Sequence, residues 1–489
     1  MTDIFHNVDL LTLLGTLILI LNMIFATIVI FLEKRNAGST WAWLLVLYFI
    51  PILGFILYLI LGKKLPKGHL FQWEDRKKIG IEEIISEQLD HFHSQRFTPP
   101  NELFQDYKGL IYMLLDNNDA ILTTNNQIQI FTDGNKKFRS LFEDIKNANN
   151  TIHLQYYIFK NDNLGGQLIQ LLTEKAKQGV KVRILYDDLG SRGTRKKHFR
   201  SLIAAGGEVE AFFPSSFPLI NFRINYRNHR KLVIIDGKVG YVGGFNVGDE
   251  YLGLNKRFGY WRDTHLRMVG NSVHAIQTRF ILDWNQASES NDIAYSPNLF
   301  PSIQSQGQTS MQIVTSGPDS EWEHIKYGYI KMISYARESI LIQTPYFIPD
   351  ASLLDSLRIA SLTGKDVRIM IPNKPDHPFV YWATYFYIGE MLKAGAKAYI
   401  YDNGFIHAKT IIIDGKLASV GTANIDVRSF KLNFEVNAFL YDEEIASSLT
   451  ESFNKDIVVS TELTLEEYEQ RSLKIRFKES ISRLLSPIL

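Results

Sequence analysis

Two copies of one short pattern carry the reactive groups of this chain. N-H-R-K-L-V-I-I-D-G-K-V-G-Y-V-G-G-F-N runs from Asn228 to Asn246, and I-H-A-K-T-I-I-I-D-G-K-L-A-S-V-G-T-A-N runs from Ile406 to Asn424. In each, a lysine stands two residues after the histidine, an aspartate seven after and an asparagine seventeen after. Side chains alternate along an extended strand, so His229 and Lys231 are expected on one face, as are His407 and Lys409. The pairs Asp236-Gly237 and Asp414-Gly415 read as tight hairpin turns that fold the next strand back, bringing Asn246 and Asn424 toward the histidines. Substitution at a phosphodiester needs a nucleophile, an acid for the leaving oxygen and cationic donors for the non-bridging oxygens. Two His-Lys-Asn sets brought together supply all three, and either set alone lacks a partner. One such match would read as a surface strand with a solvated histidine and lysine; two in corresponding places do not.

The elements that must position these groups are themselves repeated. N-T-I-H-L-Q-Y-Y-I-F from Asn150 is echoed by E-S-I-L-I-Q-T-P-Y-F-I-P from Glu338, with Gln155 matching Gln343. Each is followed by a helical pattern, a second strand beginning at Val180 or Asp366, and a helix ending at a glycine turn near Gly206 or Gly395. Equivalent positions stay in step: 188 residues separate Gln155 from Gln343, and 178 separate His229 from His407. Strands alternating with amphipathic helices predict an α/β fold of two tandem domains, each a β core flanked by helices. A pseudo-two-fold axis between them would turn equivalent edges toward each other. The expected boundaries are 119–305 and 306–489, preceded by a polar connector at 65–118.

Residues 1–64 read as a two-helix transmembrane hairpin. The chain from Leu10 to Leu32 runs 23 residues without a formal charge, which as a helix is about 34 Å. A second apolar run, Trp41 to Leu61, carries Trp41, Trp43, Tyr48 and Tyr58, as membrane-interface segments do. No Lys or Arg precedes Lys34, which argues against a secretory signal. Six basic residues follow the second run, from Lys63 to Lys78, against Lys34 and Arg35 between the runs. The positive-inside rule then puts the C-terminal part in the cytoplasm.

Composition removes other chemistries. The chain of 489 residues contains no cysteine, which excludes disulfides, thiolate metal sites and a cysteine nucleophile. Its 53 basic and 52 acidic side chains leave a net charge of +1, so no nucleic-acid partner is expected. Histidines and carboxylates do not cluster in a pattern such as H-E-x-x-H, and neither metal nor cofactor is expected.

The duplicated pattern resembles the His-Lys-Asp motifs of the phospholipase D superfamily, from about Asn118 to the C-terminus. The resemblance implies that His229 attacks phosphorus to form a phosphatidyl-histidine, while His407 protonates the leaving alkoxide and then activates the incoming alcohol. Lys231, Lys409, Asn246 and Asn424 would hold phosphate oxygens. Asp236 and Asp414 complete the motifs, although position seven falls off the His-Lys face and assigns them to turn architecture. A carboxylate downstream of each motif orients a histidine in that superfamily. Asp263 in W-R-D-T-H and Glu435 in L-N-F-E-V match, with pairing expected across the domain interface.

The segment from Trp41 to Lys64 and the tail R-L-L-S-P-I-L at Arg483 resemble bacterial cardiolipin synthases. This implies phosphatidyl transfer between two phosphatidylglycerol molecules, giving cardiolipin and glycerol at the bacterial cell membrane, and leaves room for a homo-oligomer. The alternatives are a phospholipase D-like hydrolase, a transphosphatidylase with another acceptor, or a nonenzymatic scaffold. Three further stretches bear on lipid. F-F-P-S-S-F-P-L-I from Phe212 reads equally as a loop dipping toward a bilayer or facing the core. The basic run from Ser191 to Arg200 reads as headgroup-attracting or as solvated surface. The tail from Tyr468, with Arg471, Lys474, Arg476 and Lys478 among apolar residues, reads as an interfacial helix or as a domain-packing one.

Overall fold

The computed structural model describes residues 10–31, 37–58, 71, 74–94, 102–214, 225–304 and 307–484. The chain divides into two compact units: Met1–Pro66 with Ser215–Tyr226, and Lys67–Pro214 with Arg227–Leu489.

In the smaller unit, α1 (Leu10–Phe31), α2 (Ala37–Phe49) and α3 (Pro51–Leu57) pack through Leu47 and Tyr58, with Phe25 and Trp43 against them. The Asn22 amide donates to the Leu47 carbonyl at 3.1 Å, tying α1 to α2. The second apolar run is therefore not one helix. It is divided at Ile50, because Pro51 has no N–H to continue the ladder and disfavours helical dihedrals in the residue before it. Among the described residues no helix is long and apolar enough to cross a membrane, so the expected pair of spanning helices is not found there.

The larger unit begins with α4 (Ile81–His93) and α5 (Glu102–Asn118). Both lie in the stretch expected to be a connector, yet they bury Ile85, Phe92, Leu110 and Leu114 in one core with Met332, Ile340 and Leu357 of the second half. The first half then runs β1 (Thr123–Asp133), α6 (Gly134–Lys146), β2 (Thr151–Tyr156), α7 (Asn163–Lys177), β3 (Lys181–Asp187), α8 (Arg200–Ala204) and β4 (Glu208–Phe212). It finishes with β5 (Arg227–Asn228), β6 (Leu232–Ile235), β7 (Val239–Gly243), β8 (Trp261–Gly270) and α9 (Ser272–Ala287). The sheet order is β4-β3-β2-β6-β7-β8-β1, with β2, β3 and β4 parallel and the remaining neighbours antiparallel. Alternation along β2 sends Ile152 and Leu154 into the core with α6 and α7, and turns His153 and Gln155 toward Gln277 and Asp283 of α9.

The second half repeats this. Its elements are β9 (Thr309–Ser316), α10 (His324–Tyr335), β10 (Ser339–Gln343), β11 (Phe347–Ile348), α11 (Ala351–Leu362), β12 (Asp366–Pro372), α12 (Pro378–Lys393) and β13 (Lys397–Tyr401). There follow β14 (Phe405–Ile406), β15 (Thr410–Ile413), β16 (Leu417–Gly421), β17 (Ile425–Asp426), α13 (Val427–Lys431), β18 (Asn433–Tyr441) and α14 (Glu443–Val458). The chain ends in β19 (Ser460–Leu463), α15 (Leu465–Glu469) and α16 (Leu473–Leu484). The order β13-β12-β10-β15-β16-β18-β9 matches the first half strand for strand. Antiparallel pairing of β1 with β9, Asn126 opposite Thr309, joins the two sheets.

Asp236 and Asp414 sit on the hairpin turns at φ of 53° and 52°, each followed by a glycine at positive φ, as the two-residue turn requires. Asp236 accepts the backbone N–H groups of Asn149, Asn150 and Thr151 at 2.7–2.9 Å, and Asp414 those of Arg337, Glu338 and Ser339 at 2.7–2.9 Å. Each aspartate thus clamps the entry to a core strand of its half, β2 or β10. This is the turn architecture to which position seven of each motif is assigned. Asp236→Ala and Asp414→Ala should each cost about 2–4 kcal/mol, from orphaned donors and a strained φ. Thermal unfolding should show the lowered midpoint, while turnover per folded molecule stays near that of the parent chain.

Candidate active site

The two H-x-K segments lie between strands and not within the extended strand expected to carry each of them. His229 and Lys231 lie in the step between β5 and β6, and His407 and Lys409 in the step between β14 and β15. The reason is a change of partner: β6 pairs within its own half, whereas β5 pairs in parallel with Asn433–Phe434 of β18, in the other half. Likewise β14 pairs in parallel with Trp261–Arg262 of β8. The His229 N–H donates to the Phe434 carbonyl at 2.9 Å, and that of His407 to the Arg262 carbonyl at 2.7 Å. Each histidine is therefore held by the half to which it does not belong.

The rings follow the backbone. His229 Nδ1 is 2.9 Å from Glu435 Oε2, and His407 Nδ1 is 2.7 Å from Asp263 Oδ2. Both carboxylates are fully buried, and the imidazoles are 9% and 10% exposed. A carboxylate at Nδ1 keeps the proton on that nitrogen and leaves Nε2 of a neutral ring free to act on a substrate. Lys231 Nζ donates to the His229 carbonyl at 2.6 Å and Lys409 Nζ to that of His407 at 2.5 Å. The halves differ in one contact: Lys409 Nζ also stands 2.8 Å from His407 Nδ1, so that nitrogen faces a carboxylate and an ammonium together.

The electrostatics couple both sets. Burial, aided by Lys231 and Lys409 and opposed by Glu435, lowers His229 to about 4, and His407 is lowered by burial and Lys409 against Asp263. Burial also lowers Lys231 to about 7 and Lys409 to about 8, with Lys409 adding to the depression of Lys231. Burial alone would raise the carboxylates. Instead the His229 ring and Lys231 bring Glu435 below its usual range, and Lys409 and His407 do the same for Asp263. Lys409 thus adds to the lowering of His229 and Lys231 to that of His407, so the lysine of each half acts on the ring of the other. Two ammoniums and two carboxylate-backed imidazoles form a charge set suited to a phosphodiester anion.

The asparagines take up supporting positions. Asn246 accepts the Ile158 N–H at 3.0 Å and donates to the Tyr251 hydroxyl at 3.1 Å, which fixes the turn carrying Tyr157 against His229. The Asn424 backbone N–H donates to Ser429 Oγ at 3.2 Å, its side chain hydrogen-bonds Asp426, and its side-chain oxygen is buried without a partner among the described residues. Among those residues no group of three or more His, Asp or Glu side chains could hold a metal ion.

Several residues that position the site escape sequence reading. Arg230, between His229 and Lys231, is buried. Its guanidinium pairs with Asp283 at 2.7 and 2.8 Å and reaches the Glu435 carbonyl at 3.1 Å. Arg262, next to Asp263, pairs with Asp456 at 2.9 Å. The matched glutamines complete both sets, Gln155 donating to Asp283 at 2.6 Å and Gln343 to Asp456 at 2.8 Å. Glu435 is braced by the Thr422 hydroxyl at 2.6 Å and the Asn433 amide at 3.2 Å. At the position equivalent to Thr422 the first half has Gly244, where a Cβ would stand 1.9 Å from Asp263 Oδ1. The recurring glutamine was the one signal for this layer, since an arginine flanking a motif reads as solvated.

Asp263→Asn or Glu435→Gln should lower kcat by about 10²–10⁴-fold by misdirecting the ring proton, with the fold retained on circular dichroism. Lysines are charged below their pKa values. Hence kcat/KM should fall as pH rises, first as the acid form of His407, held below the ordinary 6.5, is lost and then as the lysines discharge through about 7 to 8, and acid loss through His229 should wait until about 4. A pH-rate profile in vesicles checks both limbs.

The family model described as the PLD-like domain of cardiolipin synthase matches residues 141–263 and again 329–457, and a phospholipase D-nuclease N-terminal model matches 20–63. The chain is 65% identical to the major cardiolipin synthase of Bacillus subtilis strain 168, covering 98% of this chain and 99% of that one. It is 57% identical to a cardiolipin synthase of Listeria welshimeri over 98% of this chain and 100% of the other, and 58% identical to one of Staphylococcus aureus strain Mu50, over 96% and 95%. The fold is also that of a phosphatidylserine synthase from Haemophilus influenzae, with a TM-score of 0.60 at 13% identity, covering 80% of this chain and 100% of that one. With each PLD-like module matched once per half, and with full-length relatives far above the similarity that fold alone would produce, the chain belongs to the PLD-like cardiolipin synthase family of the phospholipase D superfamily.

Proposed function

We propose that this chain makes cardiolipin by transferring the phosphatidyl group of one phosphatidylglycerol to a hydroxyl of a second, releasing glycerol. The observation that carries the reading is the pair of buried imidazoles, each backed by a carboxylate from the opposite half and both under the influence of the same two lysines. His229 Nε2 attacks phosphorus, the P–O bond to glycerol breaks, and His407, entering as the imidazolium, gives its Nε2 proton to the departing alkoxide. His407 then takes the proton from the hydroxyl of the second phosphatidylglycerol, whose oxygen displaces His229. Lys231 and Lys409 balance the charge on the non-bridging oxygens throughout. Water admitted in place of the second lipid would give phosphatidic acid, so exclusion of water decides synthesis over hydrolysis.

The lipid substrate places the reaction at a bacterial membrane, and the apolar N-terminal unit is its anchor. Residues 10–32 carry no formal charge, and Leu13, Leu17, Met23, Trp41, Tyr48 and Phe49 are exposed, a surface that water solvates poorly and acyl chains solvate well. The basic residues after the second run favour a cytoplasmic catalytic unit.

Purified chain in phosphatidylglycerol vesicles should yield cardiolipin and free glycerol; phosphatidic acid as main product without cardiolipin would replace the synthase reading by the hydrolase one. His229→Ala and His407→Ala should each abolish product, and excess chelator should leave the rate unchanged.

A further inference from the structure

The two motif asparagines are not equivalent. Asn246 engages both ends of its amide, the oxygen with the Ile158 N–H and the nitrogen with the Tyr251 hydroxyl. Asn424, 4% exposed, hydrogen-bonds the Asp426 carboxylate, and its Oδ1 is buried with no partner among the described residues. A carboxylate accepts and does not donate, so the amide nitrogen faces Asp426 and the oxygen is turned away from it. The surroundings hold this arrangement. Asp426 accepts the Ser429 N–H at 2.6 Å, the Asn424 backbone N–H reaches Ser429 Oγ at 3.2 Å, and Ile425 pairs with Phe347 of β11. Exchanging the two ends of the amide would set its oxygen against the Asp426 carboxylate.

An acceptor shut away from water is costly unless a donor meets it. The non-bridging oxygens of a phosphodiester anion carry no proton, so Asn424 Oδ1 cannot bond them. The alcohols of the reaction do carry one. In the leaving glycerol and in the attacking headgroup alike, the carbon beside the one that bears the reacting oxygen has a hydroxyl of its own, and water offers no counterpart. Placement agrees with this. Asp426 acts on Lys409, whose ammonium stands 2.8 Å from Nδ1 of His407, the ring that handles both alcohols. His407 itself, which has to meet the alcohol, is buried to a like degree. We infer that Asn424 Oδ1, aimed by Asp426, accepts the hydroxyl on the middle carbon of the glycerol headgroup and so selects a vicinal diol over simple alcohols and over water.

The inference rests on the transfer reading and deepens it, and the two fail on different readouts. The full-length chain is given phosphatidyl-p-nitrophenol in mixed micelles, a donor whose leaving group has no second hydroxyl, together with 1,2-propanediol and 1,3-propanediol at equal concentration. Both diols offer a primary hydroxyl, and the first alone has another on the next carbon. Nitrophenol release reports formation of the phosphatidyl-enzyme, and mass spectrometry of the lipid products reports how it divides. The parent chain should favour the 1,2-diol by about tenfold, in keeping with one hydrogen bond to a buried acceptor. Asn424→Ala should bring that ratio to about one and raise the share of phosphatidic acid. Asp426→Asn should do the same, because asparagine caps α13 as well as aspartate does and removes the carboxylate that fixes the amide. It decides the question if Asn424→Ala does not fold. A parent chain indifferent to the two diols overturns the inference. So does slower nitrophenol release from Asn424→Ala with the ratio kept, which would assign the amide to phosphate. No nitrophenol release from the parent chain would sink the transfer reading, and the subsite with it.

Discussion

A buried imidazole needs something to hold its second nitrogen, and in this chain that support comes from the other half. Glu435 backs His229 and Asp263 backs His407, so neither half has a complete site until the two are docked. The short strands β5 and β14 make the same exchange through backbone hydrogen bonds. Strand pairing, ring orientation and charge balance are thus one constraint. A chain that lost the docking would lose both histidine supports at once and strip each carboxylate of its imidazole partner.

The exchange is symmetric in the histidines and asymmetric just behind them. The residue after each histidine is Arg230 or Ala408, and the residue before each carboxylate is Arg262 or Phe434. On one side of the axis Arg230 lies over the Phe434 ring at 5.3 Å and binds Asp283. On the other, beside the small Ala408, Arg262 comes from the opposite strand to bind Asp456. One arginine per side, Arg230 from the β5–β6 step or Arg262 from β8, anchors an α-helical aspartate, and Asp283 also binds Arg279 of its own helix. Duplication explains the common frame, and this swap, together with Thr422 against Gly244 and Lys409 against His407 Nδ1, makes the two histidines chemically distinct.

The duplication, the strand-helix order and the hairpin turns are legible in the sequence because each depends on local pattern: alternation, apolar period and an Asp-Gly turn. The His-Lys pairing on one face is legible for the same reason, although the segment is a step between sheets and not a strand. Nothing local shows that Arg227–Asn228 pairs with Asn433–Phe434 some two hundred residues away. Asp263 and Glu435 are reached only through the superfamily resemblance, since an isolated carboxylate in a strand has no distinguishing spacing. Arg230 and Arg262 stay hidden because charged residues are read as exposed, and burying them is affordable only beside Asp283 and Asp456. Within 65–118, α4 and α5 bury apolar residues too sparse in sequence to announce a core. Phe212 and Phe213 pack against Phe434, which favours the core-facing reading for the start of that loop, while residues 215–224 lie outside the described residues.

If the two halves together make one reaction centre, a single phosphorus atom is all that it can hold. Intact-mass and peptide spectrometry of the chain, quenched in mildly alkaline denaturant during turnover of a short-chain phosphatidylglycerol, counts the adducts directly. The account predicts at most one phosphatidyl group per chain, attached to His229. Molecules carrying two adducts, one on each histidine, would mean two independent centres and would contradict it.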